Sequence, residues 1–167
     1  MATTDPSTAT APETAELWEK SFQGEVLGEA YFAAAGRLAE EPAVKDTLAW
    51  LEAVERCTKE VLVPSMERLG IPTEPDPATL EAMAAMTSYD HREGLELVVA
   101  ITPEFLGYYT RLRALVEAED APVVDLLIAH ELALELFARR ALAAHPDPLQ
   151  PIRALPHVSA PAGAAIP

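Results

Sequence analysis

The chain has 167 residues, the length of one ordinary domain. Acidic residues number 27 against 12 lysines and arginines, and the formal net charge of −15 excludes nucleic acid and anionic membranes, both of which need a basic face. The single cysteine, Cys57, excludes an internal disulfide and any multi-cysteine zinc or iron–sulfur centre.

Residues 1–14 lack periodicity and read as a flexible N-terminal arm without the charged-then-apolar pattern of a signal peptide. No apolar run reaches the ~18 residues of a membrane span, so the sequence reads as a cytoplasmic protein. The apolar content is high (50%), aromatics are few (6%), and Ala and Leu dominate, which favours helices over sheets.

From residue 15 the pattern is helical. Helix 1 is expected over residues 15–40, with Trp18, Phe22, Glu25, Gly28, Glu29, Phe32 and Gly36 on one face. Pro42 sits at the favoured start of helix 2, which carries Val44, Leu48, Leu51, Leu62, Met66 and Leu69 inward and stops at Gly70 before Pro72. Residues 71–90 form a longer connection with a short helix near 78–87. Helix 3 covers 91–119 and is expected to bend rather than stop at Pro103. Helix 4 covers 122–144 and lines one side with Val124, Leu127, Ile128, Glu131, Leu134 and Leu142. Residues 145–167 hold six of the fifteen prolines and read as an extended C-terminal tail, anchored through Leu149, Ile152, Leu155 and Val158.

The chain repeats itself at an offset of 79. EVLG at 25–28 matches EFLG at 104–107, and ten of the 28 positions from 25 to 52 are identical to their counterparts, where composition predicts about three. Glu52 pairs with Glu131 in this alignment, and short turns at 41–42 and 120–122 make each copy an antiparallel hairpin.

Two hairpins joined by a long crossover resemble the ferritin-like superfamily of rubrerythrins and di-iron carboxylate oxidases. The resemblance implies an all-α four-helix bundle over 15–144. It also implies one glutamate on each of helices 1 and 3 and Glu-x-x-His on helices 2 and 4. On this chain those positions are Glu25, Glu104, Glu52 and Glu131, the candidate metal ligands. Both histidines are missing, replaced by Glu55 and Leu134. His130 lies beside Glu131, and because neighbours on a helix point about 100° apart it takes a ligand place only if the helix shifts.

Carboxylates on stripes otherwise filled by Leu, Val, Phe and Trp require a metal, shared protons or hydrogen bonds. Lys59, one turn beyond Glu55, offers a neutralising charge, and Tyr31, Tyr108 and Tyr109 offer hydroxyl donors. Glu55, His130, Lys59 and Tyr108 are the candidate catalytic residues. His145 and His157, in the tail, are assigned no role. Gly28 and Gly107, one turn after Glu25 and Glu104, leave notches for a ligand or a packed helix.

Three functions follow as expectations. One is a metal-dependent small-molecule oxidoreductase using iron or manganese. Another is a metal-free acid–base enzyme (isomerase, lyase or cyclase) on the same fold. The last is a non-catalytic bundle that binds a partner, such as a second copy of the chain in a homodimer.

Overall fold

The computed structural model describes residues 11–159, so the arm is described only from residue 11 and the tail only to residue 159. Those residues are all-helical, with no strand: α1 (Pro12–Leu38), α2 (Pro42–Leu69), α3 (Pro77–Ala84), α4 (His91–Leu115), α5 (Ala121–Leu142) and α6 (Gln150–Arg153). None of these helices is long and apolar enough to cross a membrane.

Local sequence sets the ends. Gly70 takes the left-handed conformation (φ 68°), and the Ile71 N–H returns to the Met66 carbonyl at 2.8 Å, terminating α2. Asp76 caps α3 by accepting from the Ala78 and Thr79 N–H groups, and Asp90 caps α4 by accepting from Glu93 N–H at 2.9 Å. Helix α4 runs continuously through Pro103 and ends at Leu115, four residues short of the expected end; α1 begins at Pro12, inside the expected arm.

The four long helices share two apolar clusters. One contains Phe32, Leu48, Trp50, Leu51, Val54, Leu95, Val98, Leu134 and Phe137. The other contains Trp18, Phe22, Val26, Leu62, Met66, Tyr109, Leu112, Val124 and Leu127. Read through these clusters, α1 and α5 run one way and α2 and α4 the other. Each hairpin is therefore antiparallel, and residues 70–90 travel the length of the molecule between the end of α2 and the start of α4. Gln23 pins this connection to α1, donating to the Glu74 carbonyl at 2.8 Å and accepting from Asp76 N–H at 2.9 Å. The C-terminal segment turns back and buries Ile152 and Leu155 in the first cluster.

The two hairpins differ at their turns. Helix α2 starts four residues after α1 ends (Leu38, Pro42), but α5 starts six after α4 ends (Leu115, Ala121). Two residues rotate a helix by about 200°. The six buried residues of α4 are Gly94, Leu95, Val98, Thr102, Tyr109 and Leu112. Shifted by 77 they fall on buried residues of α1 (Leu17, Trp18, Ser21, Glu25, Phe32 and Ala35); shifted by 79 none does. The spatial counterpart of Glu25 is therefore Thr102, not Glu104.

Candidate metal centre and adjoining cavity

Between the two apolar clusters lies a layer of buried polar side chains: Glu25 from α1, Glu55 and Thr58 from α2, Thr102 from α4, and His130 and Glu131 from α5. Glu25 and His130 are each only 1% exposed. The Tyr109 hydroxyl donates to Glu25 Oε1 at 3.0 Å. His130 Nδ1 lies 3.4 Å from Glu25 Oε2, and His130 Nε2 lies 3.7 Å from Glu55 Oε1. Both separations exceed ordinary hydrogen bonds. Glu25 Oε2 and both ring nitrogens of His130 are buried without a hydrogen-bond partner. One ligand atom each from Glu25, Glu55 and His130 falls within a 4.8 Å group, so this buried triad could bind a metal ion. The two close separations run from opposite ring nitrogens of His130, and one ion takes only one of them, so binding requires one of the carboxylates to turn toward that nitrogen.

Gly28 explains how Glu55 reaches the layer. A Cβ there would sit 2.5 Å from the Glu55 carboxyl carbon, so the carboxylate lies directly over bare backbone of α1. The notch expected beside Glu25 is filled by Glu55, whereas a Cβ on Gly107 would meet nothing within 4 Å.

Burial dominates the electrostatics. It pushes the Glu55 carboxyl up to about 8, against the opposing pull of His130. Burial likewise pushes Glu131 up to about 7. For His130 burial alone favours the neutral ring, but the facing Glu25 and Glu55 carboxylates prevail and hold it well above its ordinary value. Burial, reinforced by Glu25, keeps the Tyr109 phenol protonated far into the alkaline range.

A cavity of about 270 Å³ opens onto this layer. Its floor includes Glu25, Glu55, Glu131 and Tyr109; its walls are apolar, with Phe32, Phe105 and Leu134 among them. Met83 from α3 and Met86 just beyond it also line the cavity, so the connection between the hairpins forms part of the wall.

The structure gathers some of the candidate residues and disperses others. Glu25, Glu55 and His130 meet. His130 turns to Glu25 and Glu55, and the adjacent Glu131 turns to the cavity, so their expected roles are exchanged: the histidine joins the ligand atoms and Glu131 does not. Glu104 is exposed and accepts from the Tyr108 hydroxyl, so neither reaches the layer; the two-residue difference in the turns rotates both outward. Glu52 is half-buried, 3.5 Å from the Arg56 guanidinium. Lys59 is engaged by Glu29 on α1 rather than by Glu55.

Sequence reasoning missed His157. Its Nε2 lies 2.9 Å from Thr58 Oγ1, one turn beyond Glu55. The Thr58 hydroxyl donates its proton to the Val54 carbonyl at 2.8 Å, so His157 Nε2 is the donor to Thr58. His157 Nδ1 is left buried and unpartnered. Burial, with His130 nearby, lowers the ring to about 4 and keeps it neutral. No local signal identifies such a residue; only the docking of Ile152 and Leu155 brings it in. No protein-family model, curated protein or solved structure matches this chain.

Proposed function

We propose that the chain is a small-molecule enzyme in which one divalent metal ion, held by Glu25, Glu55 and His130, faces the apolar cavity. One observation carries this reading: three buried polar atoms, on Glu25 and His130, lack partners while facing one another and Glu55 across 3.4 and 3.7 Å. A divalent ion with two carboxylates and a neutral imidazole is net neutral, as a low-dielectric core requires. Without the ion, the same neutrality takes two protons. The nitrogen–oxygen donor set suits iron or manganese, and the ion would supply Lewis-acid or redox chemistry at the cavity floor. Tyr109 orients Glu25 through its hydroxyl, and Gly28 gives Glu55 room to approach. The helix order, the helix directions and the long connection support the resemblance to ferritin-like bundles. Because Thr102 stands where a second carboxylate would, this reading is a one-metal site.

A second reading draws on Glu55 near 8 and Glu131 near 7. Both values suit metal-free acid–base catalysis at neutral pH. Titration with manganese(II), followed by the electron paramagnetic resonance signal of the free ion and by proton release, separates the two. The metal reading predicts one bound ion per chain and release of about two protons per ion at pH 7, because His130 and Glu55 must both deprotonate. Glu55→Gln should weaken binding by at least about tenfold. An absence of binding in the correctly folded wild type leaves the acid–base reading.

A further inference from the structure

We infer that the cavity binds a neutral, hydrocarbon-bodied molecule, which crosses an apolar rim on α1 and α4 and packs against α3. The inference rests on the reading of this cavity as the substrate site and names the class of that substrate; hydrocarbon binding itself needs no metal, so the two can fail separately.

Leu27 on α1 and Leu97 and Ile101 on α4 all line the cavity, and they are 37%, 45% and 36% exposed. Large apolar side chains scattered singly in water are ordinary, but three gathered at one mouth mark a surface that something apolar covers. Independently, α3 buries none of its eight residues, yet its Met83 lines the cavity, as does Met86 just beyond it. Gln23 holds the start of α3 to α1, accepting from Asp76 N–H at 2.9 Å. An apolar occupant would bury the rim and the two methionines together, and methionine side chains adapt to an irregular body.

The interior agrees with the rim. Leu, Ile, Val, Met and Phe supply most of the lining. Gly24 on α1 lets the Phe105 ring lie against bare backbone, where a Cβ would stand 2.7 Å from it. No lysine or arginine lines the cavity, so an anion would meet no opposite charge. Glu25 and Glu55 are turned to His130, and Tyr109 donates to Glu25. An ion of either sign would surrender its hydration among hydrocarbon walls, a cost that a neutral body escapes. The cavity, at about 270 Å³, is nearly twice the ~150 Å³ apolar cavity that holds benzene, which suits a body of roughly ten heavy atoms.

Propylbenzene, phenethyl alcohol, phenethylamine and phenylacetate have nearly one shape and differ in charge. Their affinities are compared by calorimetry at pH 7 in the chelated protein, and the titrations are repeated with manganese(II). In the chelated protein the hydrocarbon and the alcohol should each bind at least about tenfold more tightly than the amine and the carboxylate, because the ions must shed their water. Propylbenzene should also slow hydrogen exchange in α3. Leu97→Lys, at the rim, should weaken propylbenzene binding at least about threefold. Leu132→Lys, at an exposed leucine of α5 outside the cavity, should leave it unchanged. Val98→Phe, which fills part of the cavity, should weaken it at least about tenfold. Charged probes that bind the chelated protein as tightly as the neutral ones overturn the inference. So does a failure of both neutral probes to bind, binding that leaves exchange in α3 unchanged, or an equal effect of Leu97→Lys and Leu132→Lys. Absence of manganese binding with the neutral preference intact removes the metal reading alone. Manganese binding without neutral-probe binding removes this inference alone.

Discussion

The two hairpins share a sequence pattern but contribute unequally to the centre. The first supplies two buried carboxylates, Glu25 and Glu55. The second supplies His130 to the same cluster, places Thr102 where Glu25 has its counterpart, and turns Glu131 to the cavity. The difference arises in a turn. Two extra residues between α4 and α5 rotate α4 by about 200° relative to the alignment, so Glu104 and Gly107 of EFLG point outward although they match Glu25 and Gly28 of EVLG. Helices α2 and α5 keep the original register, with Leu48 and Leu127 both buried. Sequence identity thus follows the chain, while burial follows the rotation of each helix. A repeat yields a symmetric site only when its turns are also equal.

Removing one ligand from either hairpin, Glu25 from the first or His130 from the second, should have the largest effect. Glu25→Ala or His130→Ala should weaken manganese(II) binding by at least about a hundredfold, because the loss of one of three protein ligands exceeds the 10–100-fold typical of outer-shell partners. Measured affinities in folded variants check this.

The inequality itself can be tested at its centre. Thr102→Glu places a carboxylate at a fully buried position, and the metal-free protein should lose about 2–4 kcal/mol in urea unfolding. An effect below about 0.5 kcal/mol would mean that the second hairpin already accommodates a carboxylate there.

Gly28→Ala should cost about 1–3 kcal/mol and weaken metal binding, because the new methyl group displaces the Glu55 carboxyl. Gly107→Ala, on the corresponding stretch of the second hairpin, meets no neighbour and should slightly stabilise α4.

Glu131→Gln sharpens the comparison through pH. In the folded protein Glu131 titrates near 7, above its ordinary 4.5, so the folded state holds its proton to higher pH than the unfolded state does. Its ionisation therefore destabilises progressively as pH rises from about 4.5 through 7. The substitution should leave stability unchanged near pH 4 and raise it by about 3 kcal/mol at pH 8 in metal-free protein. Melting curves at both values read the effect, and a gain independent of pH would contradict the assigned environment. Smallest of all, Glu52→Gln and Glu104→Gln should each change stability by less than about 0.5 kcal/mol, since both side chains reach solvent.

Much of the helical framework could be read from residues. Pro42, Gly70 and the apolar stripes mark real elements, and the identity of Glu25 as a carboxylate on a core stripe was visible from its neighbours Trp18, Phe22 and Phe32. Glu104 could not be sorted from Glu25 in that way, because the rotation of α4 depends on where the turn begins, and residues 116–120 continue the helical pattern without an obvious stop. His130 illustrates the same limit: helical spacing separates it from Glu131 but does not say which of the two faces Glu25. His157 depends on tertiary docking of a segment far along the chain, which no periodicity encodes.

The central claim is one ion on an asymmetric cluster. Anomalous diffraction from crystals soaked in manganese(II) tests it most directly. The account predicts one peak, about 2.0–2.3 Å from ligand atoms of Glu25, Glu55 and His130. A molecule with no peak there, or with a second peak of equal height between Thr102 and Glu131, would contradict it.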